Sequence, residues 1–354
     1  MITKVIRMAG RRTLAQVQYV SPVPPALAGG LVAAVYAQLE RDFGMLAPPV
    51  ILHSPAPGPL AAAWLMLRET LLAGLADRGA KEAVAAAVSL GNTCPYCVQV
   101  HTGILHGLVR GRDAAAIETG RIASVTDPRI RQAGAWAQAA GLRDTAGQDL
   151  PFPSAQCAEF IGVAVTFHYL NRMVNVFLGD PPLPAFLSPA VRGAALRMLG
   201  SLLRPVTARR LEPGTSAGLL PEAPLPSDLS WAAGSPAVAG AFARAAATID
   251  ADGVTAVPQS VRELVLARLA GWDGAPPALG RAWVDAAISR LAAADRPAGR
   301  LALLTAMSSY QVRQADVDQA RLHLPGDRAL IGLTSWASMA AARQAGRWLA
   351  GEPY

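Results

Sequence analysis

Two of the three cysteines in this 354-residue chain lie in one short string, Cys94-Pro95-Tyr96-Cys97-Val98-Gln99-Val100-His101. A close thiol pair with a base nearby is suited to two-electron redox chemistry: one sulfur attacks an electrophile and the other closes a disulfide behind it. Pro95 predicts the first residue of a helix, with Cys94 as its N-cap. Cys97 and His101 then share one helical face with Cys94. Both sulfurs fall in the first turn, where the helix dipole and free N–H groups favour a thiolate over the ordinary thiol, whose pKa is about 8.5. His101 is placed to take the Cys97 proton, directly or through a water. A histidine in that role needs a partner to fix its tautomer, and Glu82 is the candidate. It lies in an apolar helical segment, 81–90, where a carboxylate calls for a partner. Gly91-Asn92 supplies the turn that folds this segment back on the thiol helix.

Glu82, then Cys94-x-x-Cys97, then His101 resembles the signature of the alkylhydroperoxidase D-like family of the carboxymuconolactone decarboxylase superfamily. Thr102-Gly103-Ile104-Leu105-His106-Gly107 and Phe167-His168-Tyr169-Leu170-Asn171-Arg172 look like the same superfamily. The resemblance covers most of residues 45–180, with 255–354 as a degenerate copy. It implies an all-α helical bundle and a peroxidase or thiol-disulfide oxidoreductase. It implies that Cys97 attacks a hydroperoxide, Cys94 resolves the sulfenic acid as a disulfide, and His101 with Glu82 relays the proton. A dithiol reductant, protein or small thiol, then restores the pair, and no cofactor or metal is implied. The sequence departs from the family's best-known peroxidase at Tyr96, where that enzyme has a relay histidine. Weaker proton delivery is the expectation. The superfamily's decarboxylase branch lacks the cysteine pair, so that reaction is disfavoured.

The rest of the chain must position this site. The composition is 52% hydrophobic but 16% charged and 6% aromatic, and much of the apolar content is alanine and leucine, both strong helix formers. Asp127-Pro128 and Ser188-Pro189 each read as an N-cap with proline at the first helical position. Stretches 127–140, 158–178 and 189–203 show apolar residues at three- and four-residue spacing, and no period-two alternation appears. The fold expected is all-α.

Residues 204–236 are rich in proline and glycine and read as a linker or long surface loop. Weak matches link the two sides of it in order. Leu60-Ala61-Ala62-Ala63-Trp64 answers Leu279-Gly280-Arg281-Ala282-Trp283, and Asp77-Arg78 answers Asp295-Arg296. Ile161-Gly162 answers Ile331-Gly332, while Arg172 and Phe177 answer Arg343 and Trp348. These predict an internal duplication: a first repeat over 1–203 carrying the thiol site, and a second over 237–354 that has lost a helix-loop-helix. There Glu82, Cys94, Cys97 and His101 face Arg300, Val312, Ala315 and Gln319, so the second repeat lacks the site. Alanine-rich apolar helices suggest subunit contacts, and the resemblance implies oligomers, commonly trimers or hexamers of single repeats, so the expectation for a fused pair is a homo-oligomer, a dimer or a trimer.

No run reaches the ~18 apolar residues of a membrane span, and prolines and glutamines break the apolar stretch behind Lys4, Arg7, Arg11 and Arg12, which excludes a secretory signal. A cytoplasmic protein is expected. The net charge of +7 comes from scattered arginines with no aromatic-interleaved basic patch, which argues against nucleic acid. Two other readings of the thiols stay open. One is a zinc site, with Cys157 or His106 as fourth ligand; the other is a pair of structural core cysteines. Cys157 alone reads as an inert buried thiol. His168 reads as a satisfied core histidine, with a place in the pocket wall as the alternative, and Tyr96 is a second pocket candidate. A non-enzymatic helical module that senses redox state is the competing class.

Overall fold

Alanine- and leucine-rich segments with proline or aspartate at their starts fold as the helices they predict. The computed structural model of the protein describes residues 14–109, 111–145, 149–179, 181–183, 186–277 and 280–351. The basic residues near the N-terminus and Leu279 of the expected repeat lie outside that set. The α-helices longer than one turn are α1 (Gly30–Gln38), α2 (Pro57–Leu67), α3 (Arg78–Gly91), α4 (Pro95–Leu108), α5 (Gly111–Glu118), α6 (Pro128–Ala139), α7 (Ser154–Phe177), α8 (Pro189–Thr207), α9 (Pro236–Ala256), α10 (Gln259–Ala270), α11 (Ala282–Ile288), α12 (Arg296–Ser308), α13 (Gln314–Arg321) and α14 (Gly326–Leu349). Among the described residues, extended pairing is limited to two isolated bridges, Val17 with Leu178 and Ala73 with Leu211. The protein is all-α.

Local chemistry sets the helix starts. Asp77 caps α3 by accepting from the Ala80 N–H at 2.9 Å, Asp127 caps α6, and Ser188 caps α8, each satisfying an N–H that the helix itself leaves free. Helices α3 and α4 form an antiparallel hairpin. Its turn needs Thr93 in the left-handed region, at φ 51°, a conformation disfavoured for a β-branched residue. The Cys94 N–H then donates back to the Ser89 carbonyl at 2.9 Å.

A buried ion pair, Lys81 with Glu159, locks α3 against α7. The Glu159 carboxylate also accepts from the Leu75 and Ala76 N–H groups at 2.7 and 3.1 Å. This clamp sits beside Glu82 and fixes the height of α3 along α7.

Helix α8 lies across α4, and the two backbones touch through glycines. A Cβ on Gly107 would stand 2.5 Å from the Gly200 carbonyl oxygen, and one on Gly200 would stand 2.6 Å from the Gly103 oxygen. Gly107→Ala must therefore push α8 away from α4. We expect a loss of about 2 kcal/mol, in the range of overpacked core sites, measured by urea denaturation.

Helix α8 continues to Thr207 with Pro205 inside it, so the stretch read from residue 204 as linker begins within a helix. Beyond it come short 3₁₀ turns at Ala217–Leu219 and Ser227–Gly234. The two long helices α7 and α14 pack along each other, as do α2 and α9. One continuous apolar core runs through both halves, and the Arg172 guanidinium crosses between them to donate to the Ala306 carbonyl at 2.8 Å. No helix among the described residues is long and apolar enough to cross a membrane.

Candidate active site

The hairpin delivers Glu82 and His101 to each other. Glu82 is fully buried, and its Oε2 lies 2.6 Å from His101 Nδ1. Its Oε1 accepts from Arg78, one turn earlier on α3, at 2.8 Å from Nε and 2.6 Å from Nη2. Burial acts to raise the Glu82 carboxyl, but Arg78 and His101 outweigh it and hold the group below the ordinary carboxylate range. An ionised carboxylate only accepts, so Nδ1 carries the proton and His101 Nε2 is left as the basic nitrogen. The Phe167 ring meets the imidazole edge to face, with centroids 4.5 Å apart.

Cys97 lies one turn before His101 on α4, and both line a cavity of about 530 Å³. Tyr96, Gln16, Phe167 and Leu199 are also in its wall. The Tyr96 hydroxyl donates to Gln16 Oε1 at 3.0 Å, and burial pushes its phenol up, so it serves as a donor and not as an anion. Cys94 does not line this cavity; it sits behind Cys97 at the N-cap of α4. Both thiols are free and buried.

The expectation of a stabilised thiolate fails. Burial pushes the Cys97 thiol well up, and its hydrogen bond with Cys94 adds to this, while a hydrogen bond from Asn171 works the other way. The helix terminus is present, but desolvation of the charge at this depth outweighs it. Cys97 is therefore held toward its protonated form.

His168 does not line the thiol cavity. It faces the opposite side of α7 next to Trp272 and Gly141, in a smaller cavity. Its Nε2 donates to the Ala140 carbonyl at 2.7 Å and its Nδ1 meets the Asn92 side chain at 3.1 Å. It is a satisfied core histidine. So is His53, whose Nδ1 donates to the Val50 carbonyl and whose Nε2 accepts from the Tyr169 hydroxyl at 2.9 Å. Cys157 is half-buried and turns its thiol to the Phe152 and Pro153 carbonyls. Among the described residues, no three His, Cys, Asp or Glu side chains gather as a metal ion would require.

Burial pushes His53 down to about 4, and burial with Arg172 nearby pushes His168 down to about 3. Both bind protons in the unfolded chain below about pH 6.5 while staying neutral in the fold. Their contribution is therefore complete above pH 6.5 and is lost as the pH falls toward 4. We expect stability to drop by on the order of 3 kcal/mol per histidine over that window. Urea denaturation at pH 7 and pH 4.5, with His168→Gln as the comparison, checks this: the variant should show the shallower pH dependence.

Asn171 was not expected in the site. Its amide donates to Ser89 Oγ at 3.0 Å and its carbonyl accepts from Asn92 at 2.9 Å, holding it against Cys97 from α7. Arg78 was visible in principle, since it stands one helical turn from Glu82 on the same face.

No protein-family model matches the chain. Among known proteins, it is 38% identical over 333 residues to an alkyl hydroperoxide reductase of Mycobacterium tuberculosis, an alignment spanning 94% of this chain and 95% of that protein.

Proposed function

The chain belongs to the alkylhydroperoxidase D-like family, and from that premise we propose that it is a thiol-dependent hydroperoxide reductase. One observation carries the reading: Cys97 shares an apolar cavity with His101, whose other nitrogen is held by the ionised Glu82. When a hydroperoxide enters, His101 Nε2 takes the Cys97 proton as the sulfur attacks the terminal peroxide oxygen. The S–O bond forms, the O–O bond breaks, and the proton passes to the departing alkoxide, leaving an alcohol and a Cys97 sulfenic acid. The Cys94 thiol displaces that hydroxyl as water and forms the disulfide. An external dithiol, oxidised in turn, returns both thiols. The order of the cysteines is supported by Cys97 facing the cavity with Cys94 behind it.

The test is direct. Reduced protein mixed with one equivalent of cumene hydroperoxide should yield a Cys94–Cys97 disulfide by peptide mass mapping and one equivalent of alcohol, and excess dithiothreitol should make turnover continuous. Intact thiols and unconsumed peroxide would remove the reading. A second reading, a redox-sensing helical module, is favoured by the burial that keeps Cys97 protonated. A reversible disulfide formed by exchange, with no hydroperoxide consumed, would select it.

The reading also takes the second half to be a site-less copy of the first, with α14 as the counterpart of α7. It places the protein in a reducing compartment, the cytoplasm, as a dimer or trimer whose mass light scattering measures.

A further inference from the structure

The thiol cavity shares part of its wall with a second space. A second chamber of about 240 Å³ lies between α4 and α8. Val100, Pro182 and Leu199 belong to the walls of both. The second chamber adds Leu183, Ala195, Leu196, Met198 and Leu202. One polar side chain, Gln99, is among its described lining residues, and its amide is already used. Nε2 donates to the Leu183 carbonyl at 3.2 Å and Oε1 accepts from the Leu183 N–H at 3.0 Å. Among the described lining residues, the chamber therefore offers a ligand only apolar side-chain contact. Its outer wall reaches the surface at Met198 and Leu202, which are 63% and 69% exposed.

Hydrogen peroxide or a compact hydroperoxide would leave this space empty and gain nothing from it. An unbranched hydrocarbon gains about fourfold in affinity for each methylene it buries. A fatty-acyl hydroperoxide carries its peroxide group within the chain, so it needs room on more than one side of the reacting oxygen. The thiol cavity and the chamber together are of the size that buries most of such a ligand. We infer that the chamber between α4 and α8 holds the hydrocarbon tail of a long-chain hydroperoxide whose peroxide group lies against Cys97. This rests on the hydroperoxide reading above and goes further by naming the substrate class.

Two measurements on the full chain separate the two claims. The first is displacement of cis-parinaric acid, a fluorescent fatty acid, by stearate and by octanoate, which bear the same charge and no peroxide. Wild-type protein should bind stearate at least tenfold more tightly than octanoate. Ala195→Phe, which fills the chamber, should cut stearate affinity at least tenfold and octanoate affinity by less than twofold. Ala195→Leu, a smaller filler, should give an intermediate loss and serves if the phenylalanine variant does not fold. The second is the ratio of kcat/KM for a linoleic acid hydroperoxide to that for tert-butyl hydroperoxide, which should fall at least tenfold in the filled variants. Equal binding of stearate and octanoate by wild-type protein, or stearate affinity unmoved in a folded filled variant, overturns the inference. Stearate selectivity without turnover of either hydroperoxide overturns the reductase reading and leaves the chain-binding chamber standing.

Discussion

Cys97→Ser should abolish dithiol-driven hydroperoxide consumption, with a fall of roughly 10³-fold or more, as loss of an attacking nucleophile does elsewhere. Cys94→Ser should behave differently. Cys97 lines the cavity and Cys94 stands behind it, so the Cys94 variant keeps the attacking sulfur and loses only the resolving one. It should consume a single equivalent of peroxide and stall as a sulfenic acid that dimedone labels at Cys97. Steady turnover by Cys97→Ser would remove that residue from the chemistry. A stalled sulfenic acid on Cys94 in Cys97→Ser would reverse the order of the pair. The comparison is informative because both serine variants conserve shape, so the fold survives in each.

Glu82→Gln should carry the second largest effect. The carboxylate is buried between Arg78 and His101 and holds both. A neutral amide can still meet His101 Nδ1, but it no longer stabilises the imidazolium that forms when His101 takes the Cys97 proton. We expect kcat/KM to fall about 10²- to 10³-fold, the usual worth of a positioned base. The variant also strands the Arg78 charge. Because Arg78 keeps some solvent contact, with 17% of its side chain exposed, the stability loss should be about 2 kcal/mol, below the full cost of breaking a buried pair. A Glu82→Gln protein with wild-type turnover at neutral pH would show that His101 works unaided. Arg78→Lys, which keeps the charge and loses the two-pronged contact, should fall between the two.

The part of the site legible in the sequence is the part that local geometry fixes. Glu82 and His101 sit on two helices joined by a short turn, so their facing positions follow from helix periodicity and the hairpin alone. Pro95, Asp127 and Ser188 mark helix starts for reasons that act within one turn. Asn171 could not be foreseen, because it reaches Cys97 from a helix far along the chain. His168 is the core histidine its place in the aromatic helix α7 suggests, and not the pocket residue of the alternative; one residue of helix rotation separates it from Phe167, and that step turns it to Ala140. The thiolate expectation failed in a similar way. A helix N-terminus is a local feature, but the desolvation that overrides it comes from the whole surrounding bundle. Pro205 suggested the end of a helix, yet α8 carries it through.

The depth of Cys97 also bears on where its electrons come from. Dithiols that oxidise others readily do so because one sulfur is stabilised as a thiolate, which favours the reduced pair. Here burial withholds that stabilisation from Cys97, which works toward the disulfide and against the reduced pair. On the hydroperoxide reading, the expected result is that a strongly reducing dithiol recharges the oxidised pair faster than ordinary protein thiols do, which stopped-flow reduction of the disulfide measures. On that reading, shape governs peroxide admission and potential governs recharging, two separate controls on one pair of sulfurs.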